Sequence, residues 1–424
     1  MNKRLKHIIF LLLWVLLPLT FPCEAKSSGS FRTRSFTEMV KTLQVYLNNE
    51  QIDRPVLRMG SPDKVTVAFD YMSSDYPHLA YKIEHCRADW FPSQMEEADY
   101  LQGFNEVVIE EVVTSMNTTT DYAHFEFQLP NEDLQLKLSG NYVVKVYDTD
   151  YPDKILMTGC FSVEDNRIGI EAGVSGKSIY GINSVYQHLT FELMFDDFVP
   201  MADELQVVVR QNGRHDNEVR GLKPTLQKPS SFVYNHEREL SFEGGREYHV
   251  VDFSHRFRYS GEIERISYHK PYYHVDVTPG KMSSGSSYAY YDVNGGFKVH
   301  GQEVDGEEEI DYSIVHFTYP AEEPWLDGSL YVMGGFNDQW LEEKNKMTYN
   351  FERKQYELAL MLKNGGYNFL YAFLPVNWQS ASIERAEGSF WDTRNLYQIY
   401  VYYRPLGSNY DHDQLVGYFE IMSQ

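Results

Sequence analysis

The sequence predicts an all-β protein built from tandem immunoglobulin-like and early-set β-sandwich domains. Short runs alternate apolar and polar residues with a period of two, the pattern of a strand with one buried face. Pro, Gly, Asn and Asp punctuate these runs, as turns require. Aromatic residues are plentiful, with 33 Tyr and 25 Phe among 424 residues, and such side chains pack well on pleated surfaces.

The chain opens on an export signal. Lys3, Arg4 and Lys6 precede an apolar run from Ile8 to Phe21, and Cys23-Glu24-Ala25 places small residues at a cleavage site. This reads as a signal peptide over residues 1–25, cleaved after Ala25. Pro22 before Cys23 disfavours lipidation. Residues 26–38 are small and polar and read as a mobile leader. No later stretch reaches the ~18 apolar residues of a spanning helix. The strands are too irregular for an outer-membrane barrel, so direct membrane insertion is not expected.

A first sandwich is expected over 39–165. Its strands are Val65–Asp70, Tyr81–His85, Phe125–Leu129, Tyr142–Tyr147 and Leu156–Val163, with a short helix near Met95 to Leu101. A second is expected over 166–287, with strands His188–Phe195, Leu205–Arg210, Tyr248–Phe257 and Tyr273–Val277. The Ser/Gly-rich Lys281 to Ser287 reads as a linker. A third sandwich is expected over 288–424. There Gly334-Gly335 suits a tight bend and Gly365-Gly366 a hairpin turn. Tyr367, Phe369 and Tyr371 share one face, and Phe336 and Tyr371 are core candidates.

The formal net charge of −23 repels nucleic acid and anionic headgroups. Cys86 and Cys160 remain after signal removal. An exported compartment permits a disulfide, and two buried thiols fit the spacing equally well. No nucleophile elbow or zinc-protease motif is present, and His85 with Asp89 lacks a nucleophile in a known setting. His269 and His274 lack the further ligands of a metal set. Asp292, Asp305 and Asp311 do not match a calcium loop. The pairs Glu96-Glu97 and Glu322-Glu323 read as solvated. No enzyme activity, cofactor or metal is expected.

Several motifs carry a resemblance. His85-Cys-Arg-Ala-Asp-Trp90 followed by Tyr100-Leu-Gln-Gly-Phe104 resembles the type IX secretion system plug proteins, earlier a Bacteroidetes domain of unknown function. Ser139-Gly-Asn-Tyr142, Thr118 to Tyr122, Tyr291 to Gly295, Asp311-Tyr312, Asn395-Leu-Tyr397 and Tyr402-Tyr-Arg-Pro405 fit the same pattern. The resemblance implies a non-enzymatic periplasmic protein whose partner is the outer-membrane barrel of the type IX translocon, and which closes that pore when idle. Trp90, Phe91 and Phe104 are then candidate docking residues, although Trp90 suits a loop anchor better. Leu330 to Asn337 and Leu360 to Tyr371 resemble the early-set, glycogen-binding-like sandwich. That implies an alternative role, carbohydrate binding on a platform of Trp340, Trp378 and Trp391.

Overall fold

A computed structural model describes residues 30–285, 292–302, 304, 306–407 and 412–423. The signal peptide, the cleavage point and Asp305 lie outside the described residues. The regular structure is nearly all strand, and three hydrophobic cores organise it.

The first core lies between two sheets. Val40–Leu47, Val65–Tyr71, Ala123–Leu129 and Val112–Thr114 form one sheet. The other side is Leu79–Cys86, Gly140–Asp148 and Tyr151–Glu164. Alternation explains the burial: on Ala123–Leu129, residues 123, 125, 127 and 129 are buried and those between are half-exposed. The expected helix is a single turn, Glu97–Tyr100.

The second and third cores depart from the expected boundaries at 287 and 288. Gly169–Ser175 and Tyr186–Met194 pack over Leu205–Gln211, and also over Leu396–Tyr403 and Gln414–Met422 from the far end of the sequence. The strands His249–Asp252 and Tyr272–Val277, expected in the second sandwich, contribute Val251, Val275 and Val277 to the third core. Periodicity marks a strand but not its partner, so sequence order mis-sorted these elements.

The Gly365-Gly366 hairpin is also corrected. Gln355–Lys363 pairs with Tyr312–Pro320, whereas Gly365–Pro375 pairs with Gly328–Gly334 in the facing sheet. The chain therefore turns a corner between sheets at Asn364. Glycine is needed at 365 because a Cβ there would lie 2.3 Å from the Lys298 carbonyl oxygen. Tyr367, Phe369 and Tyr371 all enter the third core, while Phe336 is only partly buried against it.

One ten-stranded sheet joins the first two sandwiches. Its seam is a single parallel pairing, Glu164 with Leu415. Backbone bonds from Asp165 to Leu415 and from Arg167 and Ile168 to Val416 extend it. The leader, from Ser30 onward, is bound rather than loose. Arg34–Ser35 pairs with Thr158 and Met157 on Tyr151–Glu164, because that stretch of edge presents backbone groups that need partners.

Candidate functional site

The signature segments meet at the joint between the first two sandwiches. In the sheet, Cys86 lies opposite Asn141 and His85 opposite Tyr142. Asn141 donates through Nδ2 to the Arg87 carbonyl at 3.0 Å, and its Oδ1 accepts from Ser162 and Tyr402. Beyond Cys86 the chain turns, with Trp90 in the left-handed region at φ +64°. The Ala88 amide donates to Asp413 at 2.7 Å, and Arg404 grips that carboxylate with two bonds of 2.7 and 2.8 Å. Gly140 must be glycine. Its φ is +139°, and a Cβ would lie 2.3 Å from the His85 ring.

Above this joint is a cleft of about 890 Å³ lined by all three sandwiches and by the bound leader. Its floor is the outer face of the shared sheet, where Cys160, Ser162, Arg210, Gln398, Tyr400 and Tyr402 project. These residues alternate with Phe161, Val209, Ile399 and Val401, which face the cores. The third sandwich supplies Phe297 and the Gly335–Trp340 bend. Arg210 bonds Glu218, which also receives Arg220. Burial opposes ionisation of Glu218, but the two guanidiniums hold its carboxyl down to about 2. The leader crosses the cleft. Arg32 pairs with Glu342 at 2.6 Å and lies over the Trp340 ring, and the Phe31 amide donates to the Trp90 carbonyl.

The comparisons with known proteins agree with this layout. The type 9 secretion system plug protein 1st domain matches residues 40–165, the extent of the first sandwich. A crystal structure of a hypothetical protein from Parabacteroides merdae superposes with a TM-score of 0.89 at 36% identity, over 93% of this chain and 100% of that one. The chain belongs to the type 9 secretion system plug protein family. A putative membrane anchored protein from Corynebacterium diphtheriae aligns over 89% of this chain and 91% of its own, at 9% identity and a TM-score of 0.14, too weak a likeness to bear on the fold. No curated protein matches.

Within this plug-family chain the candidate docking residues separate. Trp90 and Phe91 are half-buried beside the cleft, and Arg87 covers Phe91. Phe104 is 76% exposed on the opposite side of Leu79–Cys86, where Asn105 ties the turn to the Ile83 backbone. Gly103 allows that turn: it has φ +110°, and a Cβ would collide with the Asp133 carbonyl. The three tryptophans form no shared platform. Trp340 stacks on His215 at 4.2 Å in the cleft. Trp391 packs against Gly176. Trp378 is exposed in the loop after Gly365–Pro375.

Cys86 and Cys160 are free thiols, not a disulfide. Gly140–Asp148 runs between their strands, with Cys86 opposite Asn141 and Cys160 opposite Val143, so their Cα atoms are more than two strand spacings, over about 10 Å, apart. A disulfide cannot span that, and burial pushes both thiols up. His85 and Asp89 are not a base and its orienter. His85 bonds Ser93 and the Ser139 carbonyl, and burial lowers it to about 4. Asp89 bonds Arg87 and the Phe91 amide. Asp292 caps the amides of Tyr248 and Asn294, and Asp311 holds Thr119.

His316 is a neighbour of His274 that spacing did not reveal, because it arrives by parallel strand pairing 42 residues on. His274 Nδ1 and His316 Nε2 are 2.8 Å apart with rings only 11° from parallel. That is one imidazole donating to another, not two lone pairs converging on a metal. Among the described residues no group of three or more His, Cys, Asp or Glu could hold a metal ion.

Proposed function

We propose that this protein binds the periplasmic mouth of a type IX secretion barrel and closes it sterically while the channel is idle. The match of residues 40–165 to the plug protein 1st domain carries this reading. The architecture supports it. A plug must resist deformation, and here two sandwiches share one sheet while the third is packed against both across the cleft. The role requires no catalysis, and His85, Asp89, Asp292 and Asp311 are each engaged in hydrogen bonds within the fold. A stable closure needs about 1,200–2,000 Å² of contact. Of the three docking candidates we retain Phe104, which is exposed near Val108, itself 55% exposed on the short strand that ends the shared sheet.

Affinity capture from solubilised outer membranes tests the reading. The barrel should co-purify with the full chain and be depleted when Phe104 is replaced by Asp. Deleting the gene should raise permeability to large antibiotics without abolishing secretion. Unchanged permeability, with no barrel in the eluate, would remove the proposal.

A further inference from the structure

The central cleft holds polar groups that the fold leaves unused. Among the described residues Arg54 donates a single long 3.5 Å bond, to the Asn212 carbonyl. Arg34 lies over the Phe36 ring at 4.2 Å. Neither guanidinium has a carboxylate partner among the described residues, whereas Arg32, Arg210 and Arg220 each have one. Both belong to one edge. Arg34 sits opposite Thr158, and Val56, two residues on from Arg54, sits opposite Ser162 on the same strand. Residues 160 and 162 of that strand face the cleft.

The opposite chemistry lies beside them. Gln339 and Gln398 line the cleft at 2% and 1% exposure, and among the described residues neither side-chain carbonyl oxygen has a partner. Their amide nitrogens are committed, to the Gly295 carbonyl and to Tyr418 with Glu420. For Gln398 the Glu420 carboxylate can only accept, which leaves the amide oxygen as the open end. Behind Gln339, outside the cleft lining, the Tyr248 hydroxyl is also without a partner among the described residues. Gln339 and Tyr248 both crowd Gly295, where a Cβ would lie 2.1 and 2.6 Å from them. Arg54 is held against Gly213, and its charge reaches the phenols of Tyr248 and Tyr400. A buried carbonyl without a donor is costly. Two of them in one cleft with two guanidiniums that lack a carboxylate bond are the complement of a ligand that is both anionic and rich in donors.

We propose that this cleft binds a sugar-sized molecule carrying one carboxylate or phosphate group and several hydroxyl or N–H donors. Arg34 and Arg54 hold the anion, and the carbonyls of Gln339 and Gln398 accept from the donors. The volume of about 890 Å³ falls in the range of small-molecule sites, which favour junctions between domains. In a chain of net charge −23 the surrounding field repels anions, so guanidiniums without a bonded carboxylate here work against the general charge.

Calorimetric titration of the full mature chain tests this with four probes. Glucuronate and glucose 6-phosphate carry both features, while glucose and inorganic phosphate carry one each. Saturable binding of glucuronate or glucose 6-phosphate, tighter than that of either half-ligand, is expected, and whichever binds identifies the anion. Arg54→Gln should weaken it about tenfold or more, as loss of a charged hydrogen bond does, and Gln398→Leu should act in the same direction. Thermal unfolding of each variant guards against misfolding, with Arg34→Gln as the substitute if Arg54→Gln fails to fold. Absence of saturable binding of both full probes at millimolar concentration would overturn the proposal. So would binding undiminished in the variants, or a soaked crystal in which ordered water alone satisfies Gln339 and Gln398.

Discussion

Asp70 shows how single residues fasten the sandwiches. It is wholly buried in the first sandwich, and Lys363 of the third, equally buried, reaches it at 2.8 Å. The Tyr312 hydroxyl donates at 2.6 Å and His124 Nδ1 lies at 2.7 Å. Burial alone would raise the Asp70 carboxyl, but Lys363 and His124 hold it below the usual range. Lys363→Met should therefore cost about 3–5 kcal/mol in urea unfolding, because it strands a buried carboxylate. The double variant Asp70→Asn, Lys363→Met should recover part of that. A loss below about 1 kcal/mol would place the pair with exposed ones. Burial lowers the affinity of His124 for protons, yet Asp70 and Glu126 pull it up to about 9. His249, against Glu387 and Glu262, also rises to about 9. A histidine raised on folding contributes its full stability below its unfolded value of ~6.5. That contribution is lost as pH climbs through about 9. Asp292, pushed up to about 7 by burial and by Glu247, adds to the same downward slope at lower pH. The unfolding midpoint should thus fall between pH ~6.5 and ~9, and His124→Gln should flatten the fall.

At the scale of elements, the C-terminal hairpin matters most. Tyr397, Ile399, Val401 and Val416 are at most 0% exposed and sit in the second core. Ending the chain before Leu396 should leave that sandwich unfolded and protease-sensitive, and limited proteolysis followed by mass measurement would locate the cuts. Protection of residues 169–243 in such a truncation would refute the assignment. Period-two alternation marked Val65–Tyr71, Tyr186–Met194 and Leu205–Gln211 within two residues of their limits, because burial of alternate side chains is written locally. The partner of each strand is not. Leu205–Gln211 pairs with Leu396–Tyr403, and nothing near residue 205 announces it. The leader read as mobile from its polar composition, but it docks through backbone groups that composition does not report. The same limit applied to the cleft. Trp90, Cys160 and Trp340 stood out by type, whereas Arg54, Gln339 and Gln398 gain meaning only when the topology brings them together.

For the whole molecule, the shared sheet and the Asp70–Lys363 pair cross the boundaries between cores. Heating should accordingly give one calorimetric transition for the three sandwiches, and two resolved peaks would show a joint weaker than the cores it connects. The same connectivity sets a timetable. A ribosome delivers the chain N-terminus first, at ~5–20 residues per second. The strand Ser241–Glu243 is made about 150 residues before Leu396, so roughly eight to thirty seconds separate them. Through that interval the middle of the molecule has an apolar face and no lid for it. Its closure waits on the last strands to be made, so the centre of this protein is finished after both of its flanks.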